Sequence, residues 1–189
     1  MTEVIEDTTA TPKSGTRKPE ILMAVTNKRV EENAIPGSNR HSGWLAGIRS
    51  GITPSGEVQA IAHAGPYVAE LGPRRRQGVI RAAAIRAINK DVRHDGTPGK
   101  TLGRSLYRLH AKEGGDSIEH QVAALPLMNL DAAALVLDGL IGRCAKHGIT
   151  VNFTDLARVL ASWGTGSGSS SQNHRNKIVL DFYTSSPAN

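Results

Sequence analysis

Residues 131–163 read DAAALVLDGLIGRCAKHGITVNFTDLARVLASW, with apolar side chains at every third or fourth position. Such spacing is typical of a helix that buries one face. It predicts one helix before Gly148 and another after it. Asp131 and Asn152 are the expected N-caps, and Gly148 is expected to end the first helix. The buried face of the second helix is predicted to consist of Phe153, Leu156, Val159, Leu160 and Trp163.

Helical spacing continues on both sides of this stretch. Toward the C-terminus, the Gly/Ser-rich residues Gly164–Ser171 predict a mobile loop, followed by a last helix over Asn173–Tyr183. Toward the N-terminus, the predicted helices cover Ile118–Leu125, Leu102–His110, Arg74–Lys90, Val58–Tyr67 and Ser42–Gly51. No segment alternates with the period of two that marks a strand, so the predicted fold class is all-α.

The predicted domains are two small helical bundles preceded by a tail. Residues 1–39 hold few large apolar side chains and are predicted to be a flexible N-terminal tail. The loop Asp95–Gly99 is expected to divide an N-terminal bundle, residues 40–97, from a C-terminal bundle, residues 98–189. In the helix over Arg74–Lys90, the expected apolar stripe consists of Ile80, Ala84, Ala87 and Ile88, with Arg86 and Lys90 on the opposite side.

The positive charge is concentrated in the middle of the chain. Residues 74–112 include eleven basic and two acidic side chains, whereas residues 113–189 include five basic and seven acidic ones. A block of this kind favours a polyanion such as nucleic acid as the partner, with a solvated basic face as the alternative. The single Cys144 excludes an internal disulfide, and no apolar run is long enough for a membrane span. We therefore expect a soluble, cytoplasmic protein.

No catalytic group is apparent in the sequence. Gly96–Thr101 resembles a phosphate-binding loop, but His94 stands where that loop needs its first glycine, so an ordinary turn is expected. Cys144 and His147 lack the partners of a metal site, and Asp91 and Asp95 are expected to be solvated loop charges. We therefore predict that the chain is not an enzyme and that it binds no cofactor or metal.

Three segments resemble the CasB small subunit of the type I-E CRISPR Cascade complex. They are GPRRRQGVIR at 72–81, TLGRSL at 101–106, and FTDLARVLASWG at 153–164 together with DFY at 181–183. The resemblance covers residues 72–183 and rests on the order of these segments more than on any one of them. Thr165–Gln172 departs from the family, in which a basic helical run often follows the tryptophan-glycine pair.

The resemblance implies a non-catalytic subunit of an RNA-guided surveillance complex in antiviral defence. Its expected partners are the target and non-target DNA strands of the R-loop, the crRNA, other Cascade subunits and a second copy of itself. Because guide pairing supplies sequence specificity in RNA-guided systems, such a subunit needs only cations that contact the nucleic-acid backbone. The two alternatives are a helix-turn-helix DNA-binding regulator and a protein-protein scaffold without nucleic-acid contact.

The candidate nucleic-acid contacts follow from the charge block and the matched segments. Arg74 and Arg81 are the first choice, because they lie two helical turns apart where the family motif has basic residues. The C-terminal candidates are weaker, since the basic run is absent there. The full set is Arg74, Arg75, Arg76, Arg81, Arg86, Lys90, Arg93, Lys100, Arg104, Arg108, Arg158, Arg175 and Lys177.

Overall fold

The computed structural model describes residues 18–163 and 169–185, and this part of the chain is helical. Within these ranges no strand forms, and the one β-bridge joins His94 to Val151. The prediction of an all-α fold is confirmed. The described helices are α1 (Lys18–Asn33), α2 (Ser42–Ser50), α3 (Glu57–Val68), α4 (Pro73–Ile88), α5 (Leu102–Glu113), α6 (Ser117–Ala124), α7 (Leu130–Lys146), α8 (Phe153–Trp163) and α9 (Ser169–Tyr183), with short 3-10 turns at Pro54–Gly56 and Leu125–Leu127.

Helix α4 is the central helix of the fold. Every residue from Gly78 to Ala87 is buried, because α1, α2, α3, α7 and α8 all pack around it. Its approach to α8 is so close that a Cβ on Gly78 would lie 1.9 Å from the Leu160 carbonyl oxygen. The predicted single apolar stripe is therefore wrong. Arg86 is buried with the rest, and Ile88 is partly exposed.

Two clusters of buried apolar side chains meet at α4. One includes Leu45, Val68 and Ile80, and the other includes Leu106 and Trp163. Helices α1, α4 and α8 contribute to both clusters, so the cores are joined through shared helices. The division into bundles at residues 97 and 98 stays a prediction.

Part of the predicted N-terminal tail is a packed helix. Leu22 and Met23 of α1 are fully buried, and Val30 is 2% exposed. These few apolar residues suffice because α4 and α8 already offer an apolar surface on which α1 packs. The tail prediction is thus wrong for residues 18–33, and residues 1–17 lie outside the described part of the chain.

Most predicted helix ends agree with the structure. The side chain of Asn152 accepts a hydrogen bond from the backbone N–H of Asp155 at 3.0 Å, as expected for an N-cap. Gly148 ends the α7 turn with φ of +62°. The N-cap of α7 is Asn129 and not Asp131, since the Asn129 Oδ1 accepts from the N–H of Ala132. In the predicted mobile loop, residues 164–168 lie outside the described residues, and 169–171 begin α9.

Candidate nucleic-acid interface

Arg81 lies in the interior and holds four parts of the chain together. Its side chain is 1% exposed, and its Nε donates to Asp131 at 2.9 Å while its Nη2 donates to Glu57 at 3.1 Å. Its Nη1 donates to the carbonyl of Gly51. These bonds connect α4 with α3, α7 and the end of α2. We therefore remove Arg81 from the candidate contacts, because all three donor nitrogens are already bonded within the protein.

Arg86 is also buried, and it stabilises the end of its own helix. Its Nη1 donates to the carbonyls of Asn89 and Val92, at 3.0 and 3.1 Å, and its Nε donates to Asn27. The guanidinium carbon lies 4.7 Å from the centre of the Phe153 ring. Burial lowers the pKa of Arg86 from 12.5 to about 10. A cation at the C-terminus of a helix interacts favourably with the last carbonyls, which have no partner within the helix. Because Arg86 is buried in this role, we also remove it from the candidate contacts.

The three C-terminal candidates make contacts within the chain. Arg158 donates to Glu20 of α1 at 2.9 Å, and Lys177 pairs with Asp181 one turn along α9. Arg175 donates from Nε to the Trp163 carbonyl at 3.1 Å and lies over the Trp163 ring. Arg175 thus stabilises the end of α8. Exposed ion pairs are weak, so Arg158 and Lys177 remain accessible but have a competing carboxylate.

The remaining cations near α4 differ in accessibility. Arg74 is exposed, whereas Arg75 and Arg76 are half-buried and Arg76 donates to the Leu71 carbonyl at 3.1 Å.

Lys90 and Arg93 are exposed beyond the other end of α4. They line an open groove that also contains two acidic side chains, Glu31 and Asp91. Lys100 is half-buried in the turn before α5.

Helix α5 carries a row of exposed cations. Arg104, Arg108 and Lys112 follow each other at intervals of four residues, so they share one face and span about 12 Å along the axis. In the part of the chain that the structure describes, none of the three pairs with a carboxylate. We call Arg104, Arg108 and Lys112 the α5 row. Lys112 was missing from the sequence-based candidates, although its spacing from Arg104 and Arg108 was a usable signal.

The orientation of α5 is fixed by its buried face and by its first turn. Leu102, Leu106 and Leu109 are fully buried. The N–H of Leu102 donates to Asp155 of α8 at 2.9 Å, and Thr101 Oγ1 accepts from the N–H of Arg104. Burial raises the pKa of the Asp155 carboxyl above its ordinary value. The row therefore points outward from a helix that is anchored on its other side.

The carboxylate next to the row is already paired. Glu113 accepts hydrogen bonds from Arg143 Nε at 3.1 and 3.2 Å and lies 3.1 Å from His147 Nε2. The bonds from Arg143 hold the pKa of Glu113 below its usual range. Because Arg143 offsets its charge, Glu113 opposes the positive potential of the row only weakly.

Of the features considered for catalysis, Cys144 lies in the core and the segment that resembled a phosphate-binding loop forms a turn. Cys144 is fully buried, and burial raises its pKa to about 12, which makes the thiolate rare at neutral pH. Thr97 and Lys100 close a turn through a backbone hydrogen bond of 3.0 Å, in the segment that resembled a phosphate-binding loop. Among the described residues, no cluster of three or more His, Cys, Asp or Glu could hold a metal ion, and no helix could cross a membrane.

Solved CRISPR-associated proteins share this fold. A Cse2-family protein from Thermus thermophilus has a TM-score of 0.61 at 17% identity, over 85% of this chain and 97% of its own. A chain of a CRISPR RNA-guided surveillance complex has a TM-score of 0.68 at 20% identity, over 89% and 93%. A chain of E. coli Cascade bound to a PAM-containing double-stranded DNA target has a TM-score of 0.59 at 20% identity, over 86% of this chain and 94% of its own. No curated protein sequence matches the chain significantly.

The family comparison goes beyond the shared fold. The sequence-family model of the CRISPR-associated protein Cse2 matches residues 44–183 of this chain, a region that extends from α2 to the end of α9. It includes the three segments that resemble CasB and the whole of the α5 row. The resemblance found in the sequence is thereby confirmed, and the chain belongs to the Cse2 family of CRISPR-associated proteins.

Proposed function

We propose that this chain is a non-catalytic subunit of a CRISPR RNA-guided surveillance complex, and that the α5 row contacts the phosphate backbone of nucleic acid there. Membership of the Cse2 family supports the first part. So does the fold shared with chains of a surveillance complex and of Cascade bound to double-stranded DNA. The row supports the second part, because it presents three cations on one face without carboxylate partners among the described residues.

The chemistry of such an interface requires charge and position but no base-reading groups. Lysine and arginine side chains that neutralise phosphates release condensed counterions, which supplies sequence-independent affinity. In an RNA-guided complex, base pairing with the guide reads the sequence. A protein in this role stabilises the target and displaced strands of the R-loop through their backbones. The proposed partners are therefore both DNA strands, the crRNA, other Cascade subunits and a second copy of the chain.

A helix-turn-helix regulator is less well supported. The segment over Arg74–Lys90 would have to provide the recognition helix, and such a helix must enter the major groove of DNA. Helix α4 is buried from Gly78 to Ala87 and is covered by its neighbours. A pure scaffold differs from our proposal in one measurable property, which is the absence of salt-dependent binding to nucleic acid.

The test is a charge-matched comparison of two triple variants. One removes the row through Arg104→Ala, Arg108→Ala and Lys112→Ala. The control removes three other cations through Lys28→Ala, Arg40→Ala and Lys146→Ala, all of which are exposed. Binding of random-sequence single- and double-stranded DNA is measured by fluorescence anisotropy over a range of salt concentrations, and melting temperature serves as the folding check.

We expect the row variant to bind more weakly, with a log–log salt slope reduced by about 2 to 3, because each lost contact lowers it by about 0.7 to 0.9. The control variant should keep most of the slope. Equal losses in the two variants would show that only net charge matters, and a salt-insensitive wild type would favour the scaffold. In either case the α5 row would not be the interface.

A further inference from the structure

Tyr107 lies on the exposed side of α5, among the cations of the row. It is three residues from Arg104, so these two side chains are neighbours on the helix surface, and it lines two grooves together with Arg108. Two open grooves meet at its ring. The first lies between α5 and the turn 148–150, and the second lies between Arg104, Arg108 and Ser185. Tyr107 is therefore accessible from both grooves.

The first groove combines an apolar floor with a basic rim. Ala111, Ile149 and the Tyr107 ring supply the apolar surface, and Arg108 and Lys112 supply the charge. A phosphate group on its own gains nothing from apolar surface. A nucleobase does, because every base has a flat face that stacks on aromatic rings whatever the sequence.

The aromatic ring is held in place from the protein side. Its centre lies 5.7 Å from that of Phe182 at an angle of 79°, which is an edge contact, and 6.3 Å from that of His110. Phe182 belongs to the core at 2% exposure. Tyr107 thus remains half-exposed while its inner edge is fixed, so little rotational freedom would be lost when a base stacks on it.

The acidic groups near these grooves are bonded to other residues. Glu113 is paired with Arg143, as described above. Asp95 accepts hydrogen bonds from Thr150 Oγ1 at 3.2 Å and from the N–H of Thr97 at 3.1 Å. The hydrogen bonds leave the charge of Asp95 in place, so the positive charge at the apolar floor comes from Arg108 and Lys112, which line it. This surface is complementary to a polyanion that also carries apolar groups.

We propose that Tyr107 and its two grooves bind unstacked bases of a single nucleic-acid strand whose phosphates contact the α5 row. This inference rests on the proposed function and adds to it. The occupant is single-stranded, because the faces of bases in a duplex are covered by their neighbours. It is bound without sequence preference, since stacking on a tyrosine and contact with Ala111 and Ile149 do not distinguish one base from another.

The experiment compares two probes with the same phosphates. The full chain is titrated into a labelled oligothymidylate and into an abasic strand of the same length, at one low salt concentration. Tyr107→Leu keeps apolar volume against Phe182 but removes the ring, and Tyr107→Phe restores the ring. Tyr67→Leu, at another half-buried tyrosine in α3, is the matched control. Melting temperatures confirm that each variant is folded.

We expect the wild type to prefer the strand with bases. Tyr107→Leu should weaken oligothymidylate binding at least about fivefold, while Tyr107→Phe and Tyr67→Leu keep it within about twofold. Binding of the abasic strand should not change. If the wild type binds both probes equally, or if Tyr107→Leu weakens both equally, the base-binding role is refuted while backbone binding by the row stands. If neither probe binds, the proposed function fails as well.

Discussion

Helices α4 and α5 are both rich in arginine, yet the structure uses their cations in opposite ways. Helix α4 is central, and two of its arginines, Arg81 and Arg86, are at most 2% exposed. Helix α5 lies at the surface and exposes Arg104 and Arg108. The comparison teaches that a basic segment is a candidate interface only where its helix has an uncovered face. In α4 the charges of Arg81 and Arg86 stabilise the fold, and in α5 the charges of Arg104 and Arg108 are exposed to solvent.

The largest expected effect comes from breaking the buried cation of α4. Arg81→Ala should lower the free energy of unfolding by about 3–5 kcal/mol, because it leaves Glu57 without its buried partner and opens a cavity. Arg108→Ala on α5 should change it by less than about 0.5 kcal/mol, as an exposed substitution. Urea denaturation of the two variants measures both. Similar losses in the two would mean that the contrast between α4 and α5 is wrong.

A smaller effect is expected where α4 meets α8. Gly78→Ala would place a Cβ 1.9 Å from the Leu160 carbonyl oxygen, so the two helices must separate. We expect the free energy of unfolding to fall by about 1–3 kcal/mol. Gly139→Ala is the matched control. It lies on an exposed face of α7 with nothing within 4 Å of the added atom. The free energy of unfolding of this control should rise by roughly 0.5–1 kcal/mol, because alanine has a higher helix propensity than glycine. A neutral Gly78→Ala would show that α4 is not closely packed there.

The smallest expected effect concerns the pH dependence of stability at His94, which lies in the segment between α4 and α5. His94 Nδ1 accepts a hydrogen bond from the N–H of Phe153 at 3.3 Å, which requires a neutral ring. Burial lowers the pKa of His94 below its ordinary 6.5, and the nearby Arg86 lowers it further, although the Val151 backbone, Glu31 and Asp95 act in the opposite direction. The folded protein therefore binds this proton less readily than the unfolded chain.

The stability supplied by His94 is thus present above pH 6.5 and is lost as the pH falls below it. Melting temperatures between pH 7.5 and 5.5 should decline more for the wild type than for His94→Gln, which cannot be protonated. His120→Gln, at an exposed position on α6, should follow the wild type. A pH dependence unchanged by His94→Gln would assign the decline to other groups.

Sequence reasoning was successful for most helices and most of their ends but not for which side chains the neighbouring helices bury. Trp163 was predicted to be buried and is 0% exposed. Asn152 was predicted to cap α8 and does so. Arg81, by contrast, was a first choice for phosphate and is bonded to Asp131. Its partners come from residues 24 and 50 positions away along the chain, and no local pattern indicates that they meet there.

The sequence by itself determined the all-α class, most helix positions and the likeness to the Cse2 family. These depend on spacing within about four residues and on the order of short segments, which can be read locally. Only the tertiary structure decided that α4 is buried from Gly78 to Ala87, that α1 is packed, and that the α5 row is exposed without a carboxylate partner among the described residues. Burial depends on which helices cover a face, and the contacts that decide this join residues far apart in the chain.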